Sequence, residues 1–92
     1  MYIIVGSKRF QKQLRRLKKV HPSLLKKLEA VIEILHQGKS LPLANQDHKL
    51  TGQLNDYREC HVAPDWLLIY KRHEDILVLE LLSTGTHSTL FE

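Results

Sequence analysis

The spacing of apolar residues changes character once along this chain, and that single change limits the fold class. Phe10, Leu14, Leu17 and Val20 recur at helical intervals, and Leu24, Leu25, Leu28, Val31, Ile32 and Leu35 do so again. Between the two stripes stands His21-Pro22. Proline disfavours helix at the residue before it and suits a helix's first turn, so the stripes predict two helices rather than one. From Tyr57 onward the helical period gives way to short β-rich runs, Tyr57 to Val62, Trp66 to Lys71 and Ile76 to Leu82, separated by Ala63-Pro64-Asp65 and by the polar turn around Arg72 to Asp75. Met1 to Val5, bounded by Gly6, reads as a first strand; Ser7 caps the first helix and Gly38 ends the second. A final turn is expected at Ser83-Thr84-Gly85. The expectation is an α+β fold in one domain, 1–92, with a short N-terminal strand, a two-helix hairpin and an antiparallel meander of three to four strands.

A chain of 92 residues buries roughly 60 to 65% of its unfolded surface, enough for one modest core. Its active site is therefore expected to be shallow, which favours a polymeric substrate, or one already held elsewhere, over a small metabolite. Cys60 is the one cysteine and has no internal disulfide partner. Met1 to Val5 is too short for a signal peptide, and no segment is apolar enough to span a membrane. A cytoplasmic location is the expectation.

Charge is unevenly distributed. Nine of the fourteen basic residues (Lys8, Arg9, Lys12, Arg15, Arg16, Lys18, Lys19, Lys26 and Lys27) precede the first acid, Glu29, while residues 29–92 carry five basic and ten acidic side chains. The net +4 thus divides into +9 and −5. Charges opposite an apolar helical stripe commonly form just a solvated face. This degree of segregation also suits a polyanion, or an acidic protein partner.

The C-terminal half places titratable groups near turns: His48 in the turn-rich connector 39–56, His61 at the end of a β run, Asp65 after Pro64, and His87 after Gly85. Imidazole exchanges protons near neutral pH, so the set suggests acid/base chemistry. Each has a plainer reading as well: an exposed loop histidine, or an aspartate bonding its own turn. Alternation puts His61 on the face of Glu59 and opposite Cys60; if Cys60 points inward, His61 is presented on the sheet. Position alone does not separate His87 from His73. Phe91, an apolar ring beyond His87, suits a core edge or a nucleobase, whereas Trp66 is read as packing.

From Asp47 to Phe91 the strings DHKLTG, YRECHVAPDWLLIY and STGTHSTLF resemble the YafQ-like branch of the RelE/ParE superfamily of bacterial toxins, and the preceding strand and basic helices fit that superfamily's small fold. The resemblance implies the toxin of a type II toxin–antitoxin pair. It implies a ribosome-dependent endoribonuclease that cuts messenger RNA in the decoding A site of the 30S subunit and is silenced by a cognate antitoxin. Carried onto matching positions, the acid/base residues fall on His48, His61, Asp65 and His87, and Phe91 matches the aromatic closing the last motif. Ser83 departs from the pattern, since relatives often have arginine there; Arg58, Lys49 and Lys71 are the candidates to replace it at the substrate phosphate. No metal or other cofactor is expected.

The implied mechanism uses the 2′-hydroxyl as internal nucleophile, so a base must remove its proton and an acid must protonate the leaving 5′-oxygen. His48 and His87 are the expected pair, with Asp65 beside a histidine to fix its tautomer and His61 binding phosphate or relaying a proton. The basic helices, through Lys8, Lys12, Arg15, Arg16 and Lys19, are expected to contact ribosomal RNA. Two alternatives stand against this reading: a metal-dependent hydrolase built on the same side chains, and a ParE-like inhibitor of DNA gyrase that cuts no RNA.

Overall fold

The computed structural model describes residues 1–91. Its elements are β1 (Ile3–Gly6), α1 (Lys8–Val20), α2 (Pro22–His36), β2 (His48–Lys49), β3 (Arg58–Ala63), β4 (Trp66–His73), β5 (Val78–Gly85) and α3 (His87–Phe91), with short 3-10 turns at Leu43–Asn45 and Gly52–Leu54. The α+β expectation of strand, helical hairpin and antiparallel strands holds. Ser7 starts α1 by accepting the Phe10 amide at 2.9 Å, and its hydroxyl also donates to the Leu82 carbonyl at 2.7 Å, tying the helix start to β5. Pro22 opens α2.

The five strands lie in the order β1-β5-β4-β3-β2. β1 runs parallel to β5, and the remaining pairs are antiparallel. The apolar stripes of both helices (Phe10, Leu17, Leu24, Leu28, Val31, Leu35) pack with Cys60, Val62, Leu68, Tyr70, Leu79 and Leu81 to form the main core. Because successive strand residues point to opposite faces, Glu59, His61, Leu67, Ile69 and Lys71 belong to the other, distal face of the sheet.

Three boundaries differ from expectation. Ser83-Thr84-Gly85 is not a turn but the end of β5, paired with Leu67 to Ile69 and fastened by the Thr84 hydroxyl, which donates to the Leu67 carbonyl at 2.7 Å. The β4–β5 turn sits later than predicted and takes in Ile76 and Leu77, with Leu77 in the left-handed region at φ 53°. His48 lies in a strand rather than a loop, because β2 pairs with Arg58 and Glu59. Among the described residues no helix is long and apolar enough to cross a membrane.

Candidate active site

His48 owes its place to its neighbours. Asp47 accepts from the fully buried Tyr70 hydroxyl at 2.5 Å and from Arg58, whose Nε lies 3.2 Å and 3.3 Å from the two carboxylate oxygens. Burial, reinforced by Asp47, pushes the Tyr70 hydroxyl well above its usual range, so it stays a donor. Gln46 adopts a left-handed backbone with φ 48°, a conformation that costs a non-glycine residue roughly 1 kcal/mol or more. That turn brings the Gln46 carbonyl to 2.7 Å from His48 Nδ1. A carbonyl can only accept, so Nδ1 carries a proton and Nε2 is the nitrogen that gains or loses one. Nε2 stands 3.5 Å from Glu59, whose side chain is 7% exposed.

Strand register relates the other candidates to this pair. His48 faces Glu59, and His61 follows two residues along β3 on the same face, about 7 Å further. Cys60 between them is buried in the core, where burial pushes its thiol up to about 12 and keeps it protonated. His61 pairs through Leu67 with Gly85, two strands across and so about 10 Å away. His87 follows at the start of α3, its ring 4.9 Å from that of Phe91 and inclined by 41°. Gly85 permits this arrangement: a Cβ there would stand 2.7 Å from the Thr89 hydroxyl and 3.3 Å from Leu90, so a side chain would have to push these two α3 side chains aside. His48 and His87 are exposed and His61 is half-buried. His48 and His61 thus share the distal face, His48 level with Ile69 in the middle of β4, while His87 follows the end of β5.

His73 is separated from this set by its bonds. Its Nε2 lies 2.9 Å from Glu80, which also accepts from the Tyr57 hydroxyl at 2.7 Å. Partial burial acts to raise the Glu80 carboxyl, but the Tyr57 and His73 hydrogen bonds outweigh it and hold the group below the usual carboxylate range. The same bond to Glu80 pushes Tyr57 up to about 12. His73 is therefore engaged in a structural network.

The family described as the YafQ bacterial toxin of type II toxin-antitoxin systems matches residues 2–92. The chain belongs to this family. It is 35% identical, over 92% of its length and 90% of the relative's, to the mRNA interferase toxin YafQ of Escherichia coli strain K12. A metal-bound toxin from Helicobacter pylori superposes with a TM-score of 0.89 at 41% identity, covering 99% of this chain and all of that one. The toxin in a DinJ-YafQ complex from E. coli superposes with a TM-score of 0.86 at 34% identity over the whole of both chains.

For this YafQ-family toxin, several expected placements need correction. Asp65 is exposed in the β3–β4 turn and borders a hollow shared with His21; among the described residues it makes no hydrogen bond or ion pair to a histidine. The carboxylate beside His48 is Glu59 instead. Arg58 lies on the helix-covered side of β3 and is held by Asp47, and Lys49, opposite Arg58, shares that side. Of the three cations proposed to replace the absent arginine, Lys71 alone belongs to the distal face by register, in the row of Glu80. Ser83, where that arginine is missing, is buried and accepts from the Gln13 side chain at 3.2 Å. Among the described residues no three His, Cys, Asp or Glu side chains gather closely enough to hold a metal ion, so the side chains proposed for a metal hydrolase are not assembled as a ligand set.

Glu59 and Asp47 were missed in the sequence. Asp47 adjoins His48 in the chain, but its role depends on Tyr70, 23 residues away. Glu59 had a legible signal, since alternation already placed it on the face of His61.

On α1, Lys8, Lys12, Arg15, Arg16 and Lys19 are all exposed. Lys12, Arg15, Arg16 and Lys19 border one broad, shallow concavity.

Proposed function

We propose that this YafQ-family toxin is an endoribonuclease that cleaves messenger RNA in the ribosomal A site, in the cytoplasm, and that a cognate antitoxin protein silences it. The observation that supports the reading is the register that puts His48 and His61 on the distal sheet face, with His87 just beyond the end of β5 and α1's cations exposed elsewhere on the surface. The names of the relatives, mRNA interferase and DinJ-YafQ complex, agree with it.

In the proposed reaction the 2′-hydroxyl loses its proton to one imidazole and its oxygen attacks phosphorus. The bond from phosphorus to the 5′-oxygen then breaks, and the second imidazole protonates the leaving oxygen. The products are a 2′,3′-cyclic phosphate and a 5′-hydroxyl. His48 and His87 are the proton-transfer pair, each worth about 10² to 10⁴ in rate, and Glu59 holds the His48 ring. His61 and Lys71 bind the charged phosphate, and Phe91 orients His87 through ring contact. Asp65 acts from the turn at the mouth of the site. Lys8, Lys12, Arg15, Arg16 and Lys19 contact ribosomal RNA.

Brief induction in a bacterial host, with new messenger 5′ ends mapped in the presence and absence of a ribosome-blocking antibiotic, tests reaction and ribosome dependence together. New ends that vanish when the A site is blocked are expected. Blocked DNA supercoiling without new ends refutes the proposal.

A further inference from the structure

Where the β3–β4 turn meets the start of α3, two adjoining hollows of about 360 Å³ each share Trp66, His21 and Thr86 as walls. The first is largely apolar and is completed by Leu17 and Val20 from α1; the second reaches Asp65 and Lys27. Trp66 is held in place. Its Nε1 donates to the Thr84 hydroxyl at 2.9 Å, and that hydroxyl is itself committed to the Leu67 carbonyl at 2.7 Å. Val20, at the mouth, is an apolar side chain left 69% exposed, and Arg16, His21 and Lys27 stand exposed around the rim.

We propose that this hollow seats the nucleobase of a messenger nucleotide flanking the cleaved bond. The inference rests on the ribonuclease reading above and adds where the substrate's base goes. Each hollow has the size of a small-ligand site, roughly 300 to 1000 Å³. An aromatic ring fixed by hydrogen bonds offers a stacking surface without an ordering penalty, and such stacking contributes roughly 5- to 150-fold in affinity per base. The rim cations match phosphates on either side of the base. Position supplies the last argument: the hollows lie on the helix-covered side at the sheet end where α3 begins, with Asp65 lining one of them and Thr86, a wall of both, immediately preceding His87.

Trp66 is the sole tryptophan, so its fluorescence reports on this hollow directly. The probe is an uncleavable 2′-O-methyl trinucleotide, compared with its abasic counterpart, against the wild type, Val20→Glu and Val20→Lys, with circular dichroism confirming that both variants fold. The expected result is saturable quenching by the base-bearing trinucleotide, little by the abasic one, and binding at least five-fold weaker in both variants. No quenching, equal quenching by the abasic trinucleotide, or unchanged binding in the variants overturns the proposal. A response to the antitoxin with none to RNA also overturns it and gives the hollow to a protein. Ribosomal cleavage measured alongside separates the two failures: cleavage without quenching removes the base site alone, and quenching without cleavage removes the ribonuclease reading and this inference with it.

Discussion

Asp47 joins the fold to the active site, and a double-mutant cycle with Tyr70 measures how strongly. The Tyr70 hydroxyl is fully buried and donates at 2.5 Å to a carboxylate. A hydrogen bond to a charged group contributes about 1.5 to 3 kcal/mol, and orphaning a buried donor costs a similar amount. Arg58 adds less, because its side chain is 43% exposed and solvent screening limits such a pair to under about 1 kcal/mol. Asp47→Ala is therefore expected to cost about 2 to 4 kcal/mol and Tyr70→Phe about 1 to 2 kcal/mol. In the Tyr70→Phe background no hydroxyl is left orphaned, so removing Asp47 becomes cheaper and the coupling energy is about 1 to 2 kcal/mol. Urea unfolding followed by circular dichroism gives all four stabilities. Under conditions where Asp47→Ala remains folded, its RNA cleavage should still fall about 10- to 100-fold, because the two-residue β2 no longer fixes His48. Additivity within about 0.3 kcal/mol, or full cleavage by folded Asp47→Ala, would refute the reasoning.

Further expectations come from the distal face. Tyr57 is raised to about 12 by Glu80, so its contribution to stability is complete below the ordinary tyrosine range and is lost as pH rises towards that value; Tyr57→Phe should flatten the decline in melting temperature between roughly pH 10 and 12. Glu80 has the opposite sign: its lowered carboxyl adds stability above the ordinary carboxylate range that disappears as pH falls through the folded value. Glu80→Gln should therefore be about 1 kcal/mol less stable than wild type at pH 7, with the gap closing in acid, as followed by thermal melts. Gly85→Ala crowds the Thr89 and Leu90 side chains of α3, so cleavage should drop about 10-fold while the far-ultraviolet spectrum is kept; undiminished cleavage would show that the position of His87 is not critical.

Much of this architecture was legible because local rules decided it. The His21-Pro22 break, the Ser7 cap and the two apolar stripes needed no distant partner. Alternation correctly placed Cys60 in the core and His61 on the other face. The misreadings arose where pairing overrides local propensity. Ser83-Thr84-Gly85 looks like a turn until Leu67 to Ile69 pair with it, and His48 looks like a loop residue until β3 gives it an edge. Leu77 has no composition that announces a left-handed turn. For the site, the three strings fixed which histidines to consider but not their partners, since those are set by strand register. Thus the carboxylate found beside a histidine of the set is Glu59, at His48, where Asp65 was expected to partner one of them, and Arg58 is committed to Asp47.

The chemistry of the cut ends tests the account most directly. Programmed ribosomes are incubated with the purified toxin, keeping the magnesium that ribosomes need while 1,10-phenanthroline removes transition metals, and both new termini are identified. Attack by the 2′-hydroxyl between histidines predicts a 2′,3′-cyclic phosphate and a 5′-hydroxyl at undiminished rate. A 5′-phosphate terminus, or cleavage abolished by the chelator, would contradict it.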